Sequence, residues 1–212
     1  NIVVANKSPM NESTMKDAKQ VKMICQLSTG YDNVDIEYCK NRGIHVANAR
    51  NYSTAAVAQH TVALALSVLE NLPYYDNYVK SGAYASQPRF AHFKPWYELE
   101  GKTWGIAGMG NIGRRVAKAA EALGCKVIFF ATSGHSDCRD YEQVDWDTLL
   151  AQSDILSLHC PLSDRTFHLM NADAFSKMKK SAVLINVARG AVVDTDALYE
   201  ALVNGEIRGA GT

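Results

Sequence analysis

The chain has 212 residues, of which 47% are hydrophobic, and its 22 Lys and Arg balance its 22 Asp and Glu. This length corresponds to about one and a half ordinary domains. Without a basic excess, the chain is not expected to bind nucleic acid or to be held at a membrane surface by basic residues. No run approaches the roughly 18 consecutive apolar residues of a membrane-spanning helix, so we expect neither nucleic-acid nor membrane partners.

Short apolar runs alternate with helical patterns along the chain. The runs predict strands over 2–5, 21–27, 44–48, 103–107, 126–130, 155–159 and 182–187. A period of 3.6 residues predicts helices over 54–69, 111–123, 146–152, 171–179 and 195–204, with Pro73 ending the first of them. Strands that alternate with helices indicate a parallel sheet covered by helices on both faces. The predicted fold class is therefore a doubly wound α/β protein.

Residues 74–100 interrupt this alternation, because they are rich in Tyr, Phe, Trp and Pro and show no clean period. We expect an arm or an irregular connection there. The clustered Tyr74, Tyr75, Tyr78 and Tyr84 favour a protein interface over a loop that merely covers the core.

The cysteines are scattered and include no C-x-x-C pair, at Cys25, Cys39, Cys125, Cys138 and Cys160. A disulfide framework or a zinc site would bring them into pairs along the sequence. We therefore expect reduced thiols, a cytoplasmic location and no bound metal.

The strongest local motif is Gly108-Met-Gly110-Asn-Ile-Gly113. An apolar strand leads into it, and it leads into a helix whose apolar face carries Ile112, Val116, Ala120 and Leu123. In a dinucleotide-binding turn the first glycine permits the tight bend, the second lets the backbone approach a pyrophosphate, and the third lets helix and strand pack closely. The helix start offers N–H groups and the positive end of its dipole to the phosphates.

No carboxylate follows the second strand of this unit, where an Asp or Glu ordinarily binds the 2′-OH of the adenosine ribose. That position is Ala131, followed by the hydroxyls of Thr132 and Ser133. Nothing there repels a 2′-phosphate, which these hydroxyls could accept together with His135 or Arg139. The sequence therefore favours NADP, or use of both cofactors, over NAD alone. The alternative is that NAD binds with a weaker ribose contact.

Several motifs, in order along the whole chain, resemble those of the D-isomer-specific 2-hydroxyacid dehydrogenase family. They are residues 28–35 (STGYDNVD), 52–59 (YSTAAVAQ), the glycine turn, 159–161 (HCP) and 186–190 (NVARG). The second of these is most similar to the pattern of glycerate dehydrogenases (hydroxypyruvate reductases). The resemblance implies an oxidoreductase that transfers a hydride between NAD(P)H and a small 2-oxo acid, with hydroxypyruvate or glyoxylate preferred, to give a D-2-hydroxy acid.

The resemblance also implies a domain organisation. Residues 1–52 would be part of a flavodoxin-like substrate domain, and residues 53–212 a Rossmann dinucleotide-binding domain that is incomplete at its C-terminal end. Residues 70–98 would form the arm through which such enzymes pair as homodimers. Since both ends of the sequence fall in apparent strands, we expect it to be the interior of a longer protein.

Substrate binding and catalysis are implied for few residues. Arg189 matches the family's substrate arginine, and a guanidinium can grip a carboxylate through two hydrogen bonds while it polarises the adjacent carbonyl. Thr29 and Gly30 match a loop whose N–H groups hold the substrate carboxylate, and Tyr52 matches an aromatic contact to the substrate. The alternatives are that Thr29 and Gly30 form a plain turn and that Tyr52 packs between domains. The family's general acid, a His oriented by a Glu, would lie beyond Thr212.

Cofactor contacts are implied along much of the second half of the chain. They are Gly108, Gly110, Asn111, Ile112, Gly113, Thr132, Ser133, His159, Cys160, Pro161, Thr166, Val187, Ala188 and Arg189. In the family the turn at His159 lines the adenine side of the cofactor, largely through backbone atoms, so His159 is not expected to be the acid.

Two other functions fit the same motifs. The family includes transcriptional corepressors that dimerise in response to NAD(H), and these keep the arginine and the cofactor site. The other alternative is a catalytically incomplete fragment, because the general acid is missing from the sequence.

Overall fold

Parallel strands form the sheets of the chain. The computed structural model describes residues 1–86 and 94–212. Within these ranges the chain separates into two units, Asn1–Thr54 and Ala55–Thr212. Each unit has a sheet of its own and buries its own apolar side chains.

The first unit contains a parallel sheet with two short helices. Its elements are β1 (Ile2–Ala5), α1 (Glu12–Met15), β2 (Met23–Gln26), α2 (Ile36–Asn41) and β3 (His45–Asn48). The strands lie in the order β1-β2-β3. Asp35 starts α2, because its side chain accepts a hydrogen bond from the N–H of Tyr38. The buried core of this unit consists of Ala5, Met15, Ile24, Val34, Cys39 and Ile44.

The second unit contains a larger parallel sheet. Its strands are β4 (Thr103–Ala107), β5 (Lys126–Phe130), β6 (Glu142–Gln143), β7 (Ile155–Leu158), β8 (Val183–Asn186) and β9 (Gly209–Gly211). They lie in the order β6-β5-β4-β7-β8-β9. The order reverses between β4 and β7, and this switch point is where ligands bind in open sheets of this kind.

Helices cover both faces of the larger sheet. They are α3 (Thr54–Leu69), α6 (Asn111–Ala122), α7 (Trp146–Gln152), α8 (Ala172–Ser176) and α9 (Thr195–Val203), whereas α4 (Leu72–Lys80) and α5 (Ala83–Ser86) contain no buried residue. Buried residues of α3 and α6 pack with Trp104 and Phe129, whereas those of α7, α8 and α9 pack with Ile128. Neighbouring residues of a strand point to opposite faces, so the two clusters lie on opposite sides of the sheet. Full burial of each such large side chain contributes roughly 1.5–3 kcal/mol. The predicted doubly wound α/β class is confirmed.

The prediction that residues 74–100 are irregular is wrong for its first part, where the structure has α4 and α5. Asn71 adopts a left-handed conformation (φ 53°) after α3, and Pro73 lies in the first turn of α4. A proline is tolerated there because its missing N–H would have no partner in the helix. Pro73 therefore starts the second helix rather than ending the first. Residues 87–93 of the predicted arm 70–98 lie outside the described residues.

Other differences from the predicted elements are small. The strand β6 was not predicted, and the helix predicted over 171–179 is limited to Ala172–Ser176. Leu123, assigned to the apolar face of α6, follows that helix and is 40% exposed.

Within the described ranges, no helix taken singly has the length and apolar character needed to cross a membrane. Among the described helices, the pair α3 and α4 together has that length and apolar character, but the two helices are bent by 64° relative to each other.

Candidate functional site

Four neighbouring strands end side by side at the carboxyl edge of the larger sheet. The parallel register pairs Ala107 with both Phe130 and Leu158, and Leu158 with Asn186. This edge therefore collects the residues that follow each strand, Gly108, Ala131, His159 and Val187. Segments that are far apart in the sequence meet here at the switch point of the sheet.

Two of the three glycines in the glycine turn are required by the protein's own packing. Gly108 has φ +98°, and a Cβ there would lie 3.0 Å from backbone atoms of His159 and Cys160. A Cβ on Gly113 would lie 2.3 Å from the carbonyl oxygen of Gly108. A Cβ on Gly110, in contrast, would meet no atom of the described residues within 4 Å. The space beside Gly110 is therefore open to a ligand.

Helix α6 begins at this turn without a side-chain cap. Gly110 is its N-cap residue and has no side chain to accept a hydrogen bond from the first turn, and that turn contains no Asp or Glu. A helix start of this kind, with the positive end of the helix dipole, favours an anion such as a phosphate.

A cleft of about 490 Å³ lies between the glycine turn and the loops that follow β5 and β7. Most of the predicted cofactor contacts line it, namely Gly108, Gly110, Thr132, Ser133, His159, Cys160, Pro161 and Thr166. Its lining does not include the other predicted contacts, Asn111, Ile112, Gly113, Val187, Ala188 and Arg189. The role of each of these residues in binding stays a prediction.

The cleft also contains charged residues that the sequence did not assign to it. Asp137 lines it and forms an ion pair with Arg114 of α6. Arg165, from the loop after β7, lines it too, whereas Arg139 does not. No sequence motif marks Asp137 or Arg165, because their positions depend on how two separate loops fold over the strand ends.

Two buried side chains hold the imidazole of His159. Trp104 Nε1 donates to Ser157 Oγ over 2.9 Å, and Ser157 Oγ lies 3.0 Å from His159 Nε2. Burial lowers the pKa of His159 to about 4, so the ring is neutral near pH 7. The hydrogen bond between Ser157 Oγ and His159 Nε2 is possible in either direction, since the direction depends on which ring nitrogen carries the proton. Within the described residues the other ring nitrogen, the buried Nδ1, has no hydrogen-bond partner, and the side chain lines the cleft.

Cys160 and Thr166 shape the loop after β7. Burial raises the pKa of the Cys160 thiol to about 11, so it is protonated and unsuited to be a nucleophile. Thr166 Oγ1 donates to the carbonyl of Pro161 at 2.6 Å and accepts from the N–H of Ser163 at 2.8 Å. The Thr166 hydroxyl therefore closes this loop and fixes one wall of the cleft.

Arg189 lies in a turn after β8 that Asn186 stabilises. Asn186 Nδ2 donates to the carbonyl of Arg189 at 3.0 Å, and its Oδ1 accepts from the N–H of Ala188 at 3.0 Å. The N–H of Val192 donates to the same carbonyl of Arg189 at 3.1 Å. These hydrogen bonds hold the backbone of Arg189 at the edge where the strands end, and its side chain is half-buried.

The buried Asn186 amide predicts a large effect on stability. We expect Asn186→Ala to lower the free energy of unfolding by about 1–3 kcal/mol, because it leaves backbone groups of the turn without partners. Urea unfolding of the full-length protein measures this. Asn204→Ala is the matched control, since Asn204 is exposed and its contact with Glu200 is 3.4 Å long. Equal losses in the two variants would contradict the role given to Asn186.

In the first unit, the loop after β2 is held through its oxygens. Asn48 Nδ2 donates to the carbonyl of Thr29 at 2.7 Å, and Ser28 Oγ donates to the carbonyl of Gly30 at 2.6 Å. Among the described residues, the N–H groups of Thr29 and Gly30 have no acceptor, and open amides of this kind suit an anion. Tyr52, in the same unit, is 67% exposed, and its contact with a substrate stays a prediction.

The cleft of the second unit fits a dinucleotide. The open space beside Gly110, the start of α6 without an acidic residue in its first turn, and the His159 Nδ1 that has no partner among the described residues suit a ligand with phosphates and polar rings. Across residues 1–86 and 94–212, no three side chains of His, Cys, Asp or Glu come together as a metal site would need.

Known proteins resemble the chain along nearly its whole length. Residues 62–212 match the family described as D-isomer specific 2-hydroxyacid dehydrogenase, NAD binding domain. The chain is 41% identical over 211 residues to a glycerate dehydrogenase of Methylorubrum extorquens. The aligned region covers 99% of this chain and 66% of that protein. The chain thus spans about two thirds of the length of this curated relative.

Two solved structures with bound cofactors have the same fold. A D-lactate dehydrogenase of Aquifex aeolicus, in complex with NAD and lactic acid, superposes with a TM-score of 0.89 at 34% identity, over 99% of this chain and 62% of that one. An acyclic imino acid reductase in complex with NADPH and D-Arg superposes with a TM-score of 0.90 at 33% identity, over 99% of this chain and 67% of that one.

Proposed function

The chain belongs to the D-isomer specific 2-hydroxyacid dehydrogenase family, and we propose that it reduces a small 2-oxo acid to a D-2-hydroxy acid with NADH or NADPH. The observation that carries this proposal is the common edge of the larger sheet. There the glycine turn, the loop of His159 and the turn of Arg189 follow adjacent strand ends. A dinucleotide site and a cation for a carboxylate are thereby built on one rigid scaffold.

Arg189 is the residue that handles the substrate in this proposal. Its guanidinium grips the carboxylate through two hydrogen bonds and withdraws electron density from the adjacent carbonyl. A bound nicotinamide dinucleotide supplies the hydride for the carbonyl carbon. In the first unit, the open N–H groups of Thr29 and Gly30 are proposed to bind a carboxylate, and Tyr52 to contact the substrate.

His159 does not supply the proton in this proposal. Burial lowers its pKa to about 4, so almost none of it is imidazolium near pH 7, and an efficient general acid needs a pKa near the working pH. Its neutral ring is better suited to form a hydrogen bond with the cofactor than to protonate a product.

Hydroxypyruvate or glyoxylate is the proposed substrate. The 41% identity to a glycerate dehydrogenase supports this, since glycerate is the 2-hydroxy acid that reduction of hydroxypyruvate gives. The full-length protein is tested with hydroxypyruvate and cofactor deuterated at C4 of the nicotinamide, and the product is analysed by mass and on a chiral column. D-Glycerate with deuterium at C2 is expected. L-Glycerate, or a product without deuterium, would rule the proposal out.

Cofactor preference is proposed to favour NADPH or to allow both cofactors. Ala131 brings no carboxylate to the cleft, and the half-buried Thr132 adds a hydroxyl to its lining. We expect Ala131→Asp to raise the ratio of the NADPH to the NADH dissociation constant about tenfold, because its carboxylate would repel a 2′-phosphate.

Fluorescence titration with each cofactor measures this ratio. Ala131 is buried, so Thr132→Asp is the second variant in case a carboxylate at 131 prevents folding. An unchanged ratio in a folded variant would show that the ribose does not lie against this turn.

The protein is further proposed to be a cytoplasmic homodimer that pairs through residues 70–98. The described part of this segment includes exposed Leu72, Val79 and Tyr84, and α4 has no buried residue. All five cysteines are free, which suits a reducing compartment. If the full-length protein sediments as a monomer at micromolar concentration, the proposed homodimer is wrong. If it is recovered outside the cytoplasmic fraction, the proposed location is wrong.

A further inference from the structure

The turn after β5 is bordered by two cavities. They are the cleft of about 490 Å³ and a second cavity of about 620 Å³, whose lining also includes Phe130 and Gly134. Ala131, Thr132 and Arg165 line both cavities. In a sheet of this topology the adenosine ribose lies beside this turn, so Arg165 reaches the ribose region from the opposite loop.

The carboxylates that line these cavities already have partners. Asp137, in the cleft, is paired with Arg114. Asp145, in the second cavity, starts α7 and accepts hydrogen bonds from the N–H of Thr148 at 2.7 Å and from its hydroxyl at 2.9 Å. These hydrogen bonds hold the pKa of Asp145 below its ordinary value, so it remains an anion engaged with its own helix.

Arg165 is different from both. It is exposed, and within the described residues it makes no hydrogen bond and no ion pair. Among the charged side chains that line the two cavities, it alone lacks a partner in the part of the chain that the structure describes. The hydroxyl of Thr132, on the facing turn, also makes no hydrogen bond there, whereas Ser133 Oγ donates to the carbonyl of His135.

We propose that Arg165 binds the 2′-phosphate of the adenosine ribose, with the Thr132 hydroxyl as a second donor, and so determines the preference for NADPH. This rests on the proposed function, because it requires a dinucleotide in the cleft. The cation comes from the loop after β7 rather than from the loop after β5, where Arg139 is exposed and lines neither cavity. A guanidinium is well matched to a phosphate, since it presents two parallel N–H donors.

The test uses two nucleotides that differ only in the 2′-phosphate, 2′,5′-ADP and 5′-AMP. Calorimetric titration of the full-length protein gives both dissociation constants. Arg165→Gln is expected to weaken 2′,5′-ADP by about 10- to 100-fold, the value of a charge-assisted hydrogen bond, and to leave 5′-AMP nearly unchanged. Arg165→Lys, which keeps the charge without the paired donors, should fall between wild type and Arg165→Gln. Arg139→Gln is the matched control and should bind both nucleotides as the wild type does.

Three results would overturn this inference while leaving the proposed function intact. They are equal weakening of both nucleotides by Arg165→Gln, a larger loss in Arg139→Gln, and wild-type protein that binds 2′,5′-ADP no more tightly than 5′-AMP. Failure of the wild type to bind either nucleotide, or NADH, would instead remove the dinucleotide site, and with it the proposed function and this inference together.

Discussion

Arg189→Ala in the full-length protein is expected to lower kcat/KM for hydroxypyruvate by about 10²- to 10³-fold, or about 2.7–4.1 kcal/mol, which lies within the roughly 2–5 kcal/mol lost when one partner of a hydrogen-bonded charge pair is truncated. The reason is that the variant loses both the grip on the carboxylate and the polarisation of the carbonyl. The dissociation constant of NADPH should remain nearly unchanged, because the lining of the cleft does not include Arg189. Steady-state kinetics and fluorescence titration measure the two quantities separately.

Arg189→Lys provides the control for this prediction. It keeps a positive charge but loses the paired donors, so we expect it to recover part of the lost rate. A loss of NADPH affinity as large as the loss of kcat/KM would contradict the assignment of Arg189 to the substrate.

Two glycine variants are expected to separate ligand binding from folding. Gly110→Ala should weaken NADPH at least about tenfold, because its methyl group would occupy the space over which the phosphates approach the start of α6. Its free energy of unfolding should change by less than about 1 kcal/mol, since the added Cβ meets no atom of residues 1–86 and 94–212 within 4 Å. Gly113→Ala should destabilise the fold by about 1–3 kcal/mol, because its Cβ would lie 2.3 Å from the carbonyl oxygen of Gly108.

Cofactor titration and thermal unfolding of the ligand-free full-length variants provide both measurements. If Gly110→Ala bound NADPH with wild-type affinity, the pyrophosphate could not lie against Gly110. If Gly113→Ala were as stable as the wild type, the close packing of α6 on the glycine turn would be in doubt.

The sheet of the second unit could be predicted from sequence because its signals are local. The run 103–107, the glycine turn and the helix that follows it form a strand, a bend and an amphipathic helix in the expected order. The prediction for residues 72–86 was wrong because the local sequence there is ambiguous. Its tyrosines favour strands or interfaces, and Pro73 gives the same letter whether a helix ends before it or begins at it. The left-handed conformation of Asn71 ends α3 before Pro73 and lets a new helix begin, and no sequence motif predicts that conformation.

The charged residues around the cleft could not be predicted from spacing. Asp137 and Arg165 are separated in the sequence by β6, α7 and β7. They line the same cleft because they follow β5 and β7, the two strands that flank β4 in the sheet. The absence of a carboxylate at Ala131 was visible in the sequence, but the cation opposite it was not. The buried network of Trp104, Ser157 and His159 likewise depends on two paired strands.

The most direct test of this account is the initial rate of NADPH and NADH oxidation by the full-length protein, with hydroxypyruvate, glyoxylate and pyruvate assayed in parallel. Turnover of hydroxypyruvate or glyoxylate is expected, with NADPH used at least as well as NADH. Tight binding of either cofactor without turnover of any of the three acids would contradict the proposed reductase and would favour a protein that senses the nucleotide.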